Sequence, residues 1–419
     1  MTATASDSLN IREILGAPFT LPCGVTLPNR IIKAAMTEQL ADARFQPTEE
    51  LIRLYERWGQ GGTAVHLTGN VMVDRRSLEG PRNVAVEDER DLPQLRTWAE
   101  RAQANGAQLW MQISHPGRQT PSRVSSEIVA PSVVPLKGYG PLFRAPRALD
   151  AGEIEPLIER FVTTAAIARE AGFGGVQIHS AHGYLLSQFL SPRTNLRTDE
   201  WGGSLENRMR FLLETVRRTR QAVGSGYPIS VKLNSADFQR GGFSEEESML
   251  VVHALEREGV DLLEISGGNY ENPMMIQRGE VAGSGRESTR LREAFYLAYA
   301  EKVRAQTPMP LMLTGGLRTA ATMASIVAQN KVDFVGLARP LAIDPDFSRK
   351  LLDGTLSSAL PVNVRLGVRQ LDDMLQSMWY QQQMLRMGKG LEPDLKVSRL
   401  VSLCKGLYNV LGARSGRAD

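Results

Sequence analysis

Cysteine is nearly absent: in 419 residues only Cys23 and Cys404 occur, far apart and in no CxxC pair. That argues against a disulfide framework, a zinc site built on thiolates and an iron–sulfur cluster, each of which needs more thiols at closer spacing. An excess of charge of one sign is missing too. The 49 basic residues nearly balance the 46 acidic ones, for a formal net charge of +3. No basic block tracks a nucleic-acid backbone, so no nucleic-acid partner is expected. No apolar run approaches the roughly 18 residues that a membrane span needs. The first residues, MTATASDSLN, have neither a charged n-region nor an apolar core. The chain therefore reads as cytoplasmic and unprocessed, without a membrane partner. What remains is an ordinary soluble composition, 42% hydrophobic, long enough for one large α/β domain with an extension.

Patterning along the chain alternates strand and helix. Residues 18–28 (PFTLPCGVTLP) read as a short hairpin turning near Cys23-Gly24. Buried strands follow at 30–36, 63–68, 107–113, 176–178, 229–234, 261–265, 310–314 and 332–337, each a short apolar run bounded by turn residues. Helical patterning fills 48–58, 92–105, 156–171, 205–223, 244–258, 290–306 and 320–330, with Thr48 and Ser204 as capping residues. Eight such strands over roughly 320 residues predict an α/β fold of (β/α)8 TIM-barrel type. The expected organisation is an N-terminal tail at 1–15, a barrel with its N-terminal β-hairpin at 16–350, and a helical extension at 351–419. In that extension Leu371, Met374, Leu375, Met378 and Leu385, and then Leu400, Val401, Cys404 and Leu407, recur at helical spacing, and so read as docked on something, with a homo-oligomer contact as one candidate. Residues 114–152, rich in Pro, Ser and Gly, read as a lid or binding loop.

The chemistry collects at strand ends. His179, His182 and Tyr184 fall on the loop expected after strand 176–178, and in a barrel such loops carry ligands and catalysis. The H-x-x-H spacing could supply two zinc ligands, but neither Asp199 nor Glu200 has the register for a third, so no metal is assigned. Satisfied structural histidines are a second reading. In a third, two imidazoles donate to one carbonyl oxygen while the tyrosine delivers a proton. Thr314-Gly315-Gly316 and Gly336-Leu337-Ala338-Arg339 end the last two strands, where freed amides and a guanidinium cradle a phosphate. Lys232 sits mid-strand and, if it points into the barrel, needs a partner or a charged ligand. Gln112 and Thr37 pose the same question less acutely.

The stretch HSAHGYLLSQFLSPRTNLRTDEWGGSLENRMRF, together with NRIIKAAMT, MQISHPGR, VKLNSADF, LTGG and GLARPL in that order, resembles the FMN-dependent old yellow enzyme family over about four-fifths of the chain. The resemblance implies a single-barrel oxidoreductase of ene-reductase type, in which hydride passes from NADH or NADPH through FMN to an activated alkene, such as an α,β-unsaturated carbonyl or nitro compound. It implies that His179 and His182 hold the substrate's oxygen and that Tyr184 protonates its α-carbon. It also implies a cofactor-binding set of Ala35, Met36, Thr37, Thr68, Gln112, Lys232, Gly315, Gly316, Ala338 and Arg339, with Thr37 near flavin O4 and Gln112 on the pyrimidine edge. Lys232 stands where many members carry Arg, which removes a bidentate fork. Ala35 replaces a proline common in that strand. With two cysteines, the relatives that carry an iron–sulfur cluster are not the expected subfamily. Two other functions compete: a flavin-free phosphate-binding lyase or aldolase using Lys232 as a Schiff base, and a non-catalytic flavin-binding module whose terminal helices recruit a partner.

Overall fold

The structure, a computed structural model, describes residues 10–125, 127–271, 296–362, 364 and 369–412. Eight parallel strands form its centre: β1 Ile31–Lys33, β2 Val65–Leu67, β3 Gln108–Ser114, β4 Gly175–Ser180, β5 Ile229–Asn234, β6 Leu262–Ser266, β7 Leu311–Thr314 and β8 Phe334–Leu337. Each pairs with the next, and the ring closes where Val335 of β8 lies opposite Ile31 of β1. The expected (β/α)8 barrel is the fold observed.

Because side chains alternate across a strand, residues of like parity share the barrel interior. The layer at the amino ends of the strands is apolar. Ile32, Trp110, Leu262, Met312 and Phe334 pack there with Leu21 and Leu27 of the N-terminal hairpin, Phe19–Thr20 against Thr26–Leu27. Phe19 meets Phe334 edge to face at 5.1 Å, so the hairpin stoppers that end of the barrel. Gly175 is required beside this layer, since a Cβ there would lie 2.8 Å from the Trp110 ring. Two residues further along β3, β4, β5 and β6 the interior turns polar, with Gln112, Gln177, Lys232 and Glu264, all buried. Ser114, His179, Asn234 and Ser266 follow at the carboxyl ends, where barrel sites form.

The helices begin where local chemistry dictates. Thr48 accepts the Leu51 amide at 3.2 Å, Ser204 accepts the Asn207 amide at 3.3 Å, and Ser244 and Glu247 cap each other reciprocally. Two expectations need correcting, and one short helix was not expected. The helix expected at 156–171 starts earlier, at Ala151, because the Glu153 carboxylate accepts the Asp150 amide at 2.7 Å and caps it there. Pro156 thus lies inside the helix, where its missing N–H costs one bond near the start. A six-residue helix, Leu185–Leu190, follows Tyr184 directly. In the N-terminal stretch expected to be tail, Ile11–Leu15 is helical and Leu15 is fully buried.

Beyond the barrel, helix Arg369–Gly388 lies along helix Glu49–Gly59. Leu375, Met378 and Trp379 form a small core with Ile343, Val364 and Leu403. The next helix, Arg399–Gly412, buries Ser402, Leu403 and Gly406, while Leu400, Val401 and Cys404 face solvent. The apolar stripe expected to dock is therefore not the docked face. The side chains of Leu371, Met374 and Leu407 and residues 272–295 lie outside the described residues. Among the described residues no helix is long and apolar enough to cross a membrane.

Candidate active site

His179 is the largest departure from the expected placement: it lies inside β4, its Cα opposite that of Lys232, rather than on the loop after the strand. The strand runs two residues past Ile178 because β5 goes on pairing with it, Lys232 opposite His179 and Leu233 opposite Ser180, after the β3 ladder has ended at Ile178. The Nδ1 of His179 accepts the Ala181 amide at 3.2 Å, so the neutral ring carries its proton on Nε2. His182 sits on the turn at φ 60°, a left-handed conformation held by its surroundings. Its amide donates to Asn234 at 3.0 Å, its carbonyl accepts from Gln119 at 3.1 Å, and its Nε2 lies 2.6 Å from the Ser266 hydroxyl.

The two imidazoles stand 5.1 Å apart at 80°, and the Tyr184 ring lies 4.8 Å from that of His179. Burial pushes both histidines well below their usual range; for His179 the neighbouring His182 adds to the effect, and Lys232 does so for both. They are neutral rings near pH 7. Burial raises the Tyr184 phenol well above its usual value, and the Glu79 carboxylate and Tyr270 raise it further. Its hydroxyl is 3.1 Å from that of Tyr270. The phenol therefore keeps its proton at neutral pH.

Lys232 points into the barrel and has a partner that the sequence did not reveal. Its ammonium lies 3.0 Å from Oε1 of Glu264, a charge contact without hydrogen-bond alignment, and Gln177 donates to the other carboxylate oxygen at 2.9 Å. A second omission is Glu79, which accepts hydrogen bonds from the Thr37 hydroxyl and the Asn70 amide. Asn70 in turn accepts from Gln112 Nε2 at 2.6 Å. This leaves Gln112 Oε1 buried and unpartnered. Glu79 thus joins Thr37, Gln112 and Tyr184 in one network, on a segment, SLEG, that has no periodicity to mark it.

The remaining expected residues fall as follows. Thr68 is fully buried and its hydroxyl accepts the Gln112 amide at 2.9 Å, so it holds β3 in place. Ala35 and Met36 follow β1 and pack against the core clusters. Below them a buried trio forms, in which Tyr55 donates to Glu38, which also accepts the Gly69 amide at 2.9 Å, with Lys33 alongside. Burial brings Lys33 down to about 8, against the pull of Glu38. Gly315, Gly316, Ala338 and Arg339 line a cavity of about 110 Å³, joined by Thr314, Arg318, Gly336 and Tyr380. The backbone there suits only small residues: Gly316 has φ 74°, and a Cβ on Gly336 would meet Thr314 Oγ1 at 2.0 Å. Among the described residues no cluster of three His, Cys, Asp or Glu is arranged to hold a metal.

Comparison with known proteins places this geometry. A model of the NADH:flavin oxidoreductase / NADH oxidase family matches residues 15–357. The NADH-dependent flavin oxidoreductase nadA of Aspergillus parasiticus is 40% identical over 349 residues, covering 80% of this chain and 77% of that protein. The NADH-dependent flavin oxidoreductase iliE of Neonectria sp. is 36% identical over 354 residues, or 79% of this chain, but the chain spans only 46% of its length. The structure of morphinone reductase in complex with tetrahydroNAD aligns with a TM-score of 0.68 over 82% of this chain and 91% of that one; at 23% identity it speaks to the fold.

Proposed function

This chain belongs to the NADH:flavin oxidoreductase / NADH oxidase family, and from that premise we propose that it is an FMN-dependent oxidoreductase, reducing alkenes conjugated to a carbonyl or nitro group at the expense of NADH or NADPH. One observation carries the alkene assignment: two neutral imidazoles and a protonated phenol converge beside an inward-facing lysine.

The residues fit FMN. Gln112 Oε1 is a buried acceptor with nothing to accept, which suits an N–H on a pyrimidine edge. Lys232 supplies positive charge inside the barrel, just below the carboxyl-end rim. The cavity between Gly315–Gly316 and Ala338–Arg339 has backbone amides and a guanidinium for a phosphate. When bound, FMN supplies the hydride chemistry, accepting from the nicotinamide and giving to the alkene.

This chain's residues do the rest. His179 offers Nε2–H to the substrate's oxygen. In the tautomer this role requires, the Ser266 hydroxyl, 2.6 Å away, donates to His182 Nε2 and the ring carries its proton on Nδ1, the edge without a protein partner among the described residues. Two donors on one oxygen draw charge from the double bond, and because both rings are neutral they polarise it without first giving up a proton. Tyr184 donates its hydroxyl proton to the α-carbon, and Tyr270 at 3.1 Å can return one. Lys232 argues against the lyase reading, because an ammonium held by Glu264 has no free lone pair with which to attack a carbonyl.

An anaerobic titration tests the proposal. The purified protein should be yellow, bleach with NADH or NADPH, and regain colour with cyclohexenone, maleimide or a nitroalkene. Failure of every such acceptor to reoxidise the bleached protein would sink the alkene assignment, and a colourless protein the flavin one. In Tyr184→Phe, reoxidation should slow by about 100-fold or more with bleaching unchanged.

A further inference from the structure

We propose that helix Arg369–Gly388 completes the cofactor site, with the Tyr380 hydroxyl donating to the phosphate of FMN; this rests on the flavin assignment above. The family match ends at residue 357, so this helix lies outside it. Yet Tyr380 lines the same cavity as Gly315, Gly316, Arg318 and Arg339.

The charges around that cavity are one-sided. Among the described residues neither Arg318 nor Arg339 has a carboxylate partner. Burial pulls the Arg339 guanidinium down, with Arg318 adding to the effect, and only the Tyr380 phenol opposes it. Two cations and a phenol around a small pocket await a compact dianion, and charge-assisted bonds to such a group are the strong ones. The helix is registered to deliver this contact. Gln376 and Tyr380 are one turn apart and so share a face, and Gln376 Oε1 accepts from Arg339 Nη1 at 3.4 Å. Gln381 donates to the Thr37 carbonyl at 3.3 Å, tying the helix to the loop after β1. The neighbouring Trp379 is buried in the small core beneath, its indole N–H on the Val397 carbonyl at 3.1 Å, and holds the helix from its other side. Docking of this helix and retention of FMN are then one equilibrium: a ligand that touches only the docked form stabilises it.

The test uses the full chain, stripped of flavin, with dissociation constants for FMN and for riboflavin read by fluorescence quenching. Riboflavin has the same ring and no phosphate. Tyr380→Phe keeps the ring that packs on Trp379, and should weaken FMN by about 10- to 100-fold while changing riboflavin less than about 2-fold. In the wild type, inorganic phosphate should compete with FMN and not with riboflavin. Gln381→Ala, which loosens the helix without touching the phosphate, should raise the rate of tryptic cleavage after Lys389, and FMN should slow that cleavage more than riboflavin does. Unchanged FMN affinity in Tyr380→Phe, or an equal loss for both flavins, overturns the proposal and leaves the flavoprotein reading intact. A wild-type protein that binds neither flavin overturns both.

Discussion

Replacing Glu264 by Gln should reveal what the barrel interior costs. The carboxylate is fully buried and the Lys232 side chain is only 5% exposed, so the exchange keeps shape and removes the charge that balances the ammonium. Breaking a buried pair by neutralising one partner costs about 3–5 kcal/mol, because the remaining charge stays desolvated. At about 2.1 cal/mol/K of unfolding entropy per residue, a chain of 419 residues loses about 3–6 °C in Tm for that change. The apoprotein is the right sample, since an anionic ligand beside Lys232 would replace the missing charge. Adding Lys232→Met should return most of the loss, giving a coupling of about 2 kcal/mol or more between the sites. Calorimetry of the four proteins decides it. If Glu264→Gln shifts Tm by less than about 1 °C, or if the two changes simply add, the pair is solvated and the placement of Lys232 in a dry interior is wrong.

Three further outcomes follow from the same geometry. Glu79→Gln removes a negative charge that raises the Tyr184 phenol, so the alkaline loss of the reoxidation rate should move to lower pH; a shift upward, or none, would disconnect Glu79 from the donor. Burial holds His66 near 3 and His115 near 4, with His179 and His182 also well below their usual range. An unfolded histidine takes its proton near pH 6.5, so the stability from these neutral rings is full above that pH and falls as pH drops toward the folded values, by up to about 1.4 kcal/mol per pH unit for each. Urea midpoints that stay flat from pH 7 to 5 would contradict it. Gly175→Ala puts a methyl 2.8 Å from the Trp110 ring and should cost about 1–3 kcal/mol through overpacking, read in the same urea experiment; a neutral result would mean that the hairpin end of the barrel is loosely packed.

The barrel was legible because its signals are local. Each strand is a short apolar run, and Thr48, Ser204 and Ser244 cap helices within three residues of themselves. Lys232 could be flagged as a buried charge, and Gly315, Gly316 and Arg339 as residues that meet at one place, from strand position alone. What tertiary structure decided are partners that are distant in the chain. Thr37 meets Glu79 across 42 residues, His182 meets Ser266 across 84, and Gln381 meets Thr37 across 344. No periodicity or spacing encodes such pairs, because closing the barrel is what brings the ends of different strands to one rim. The same closure placed His179 within a strand. One neighbour, β5, continues the ladder past Ile178, and a run of polar residues that reads as a loop in isolation is a strand end when a neighbouring strand extends beside it. The exposed Leu400 and Val401 make the complementary point. Apolar spacing identifies a helix, but which face is buried depends on where the chain returns to its own surface.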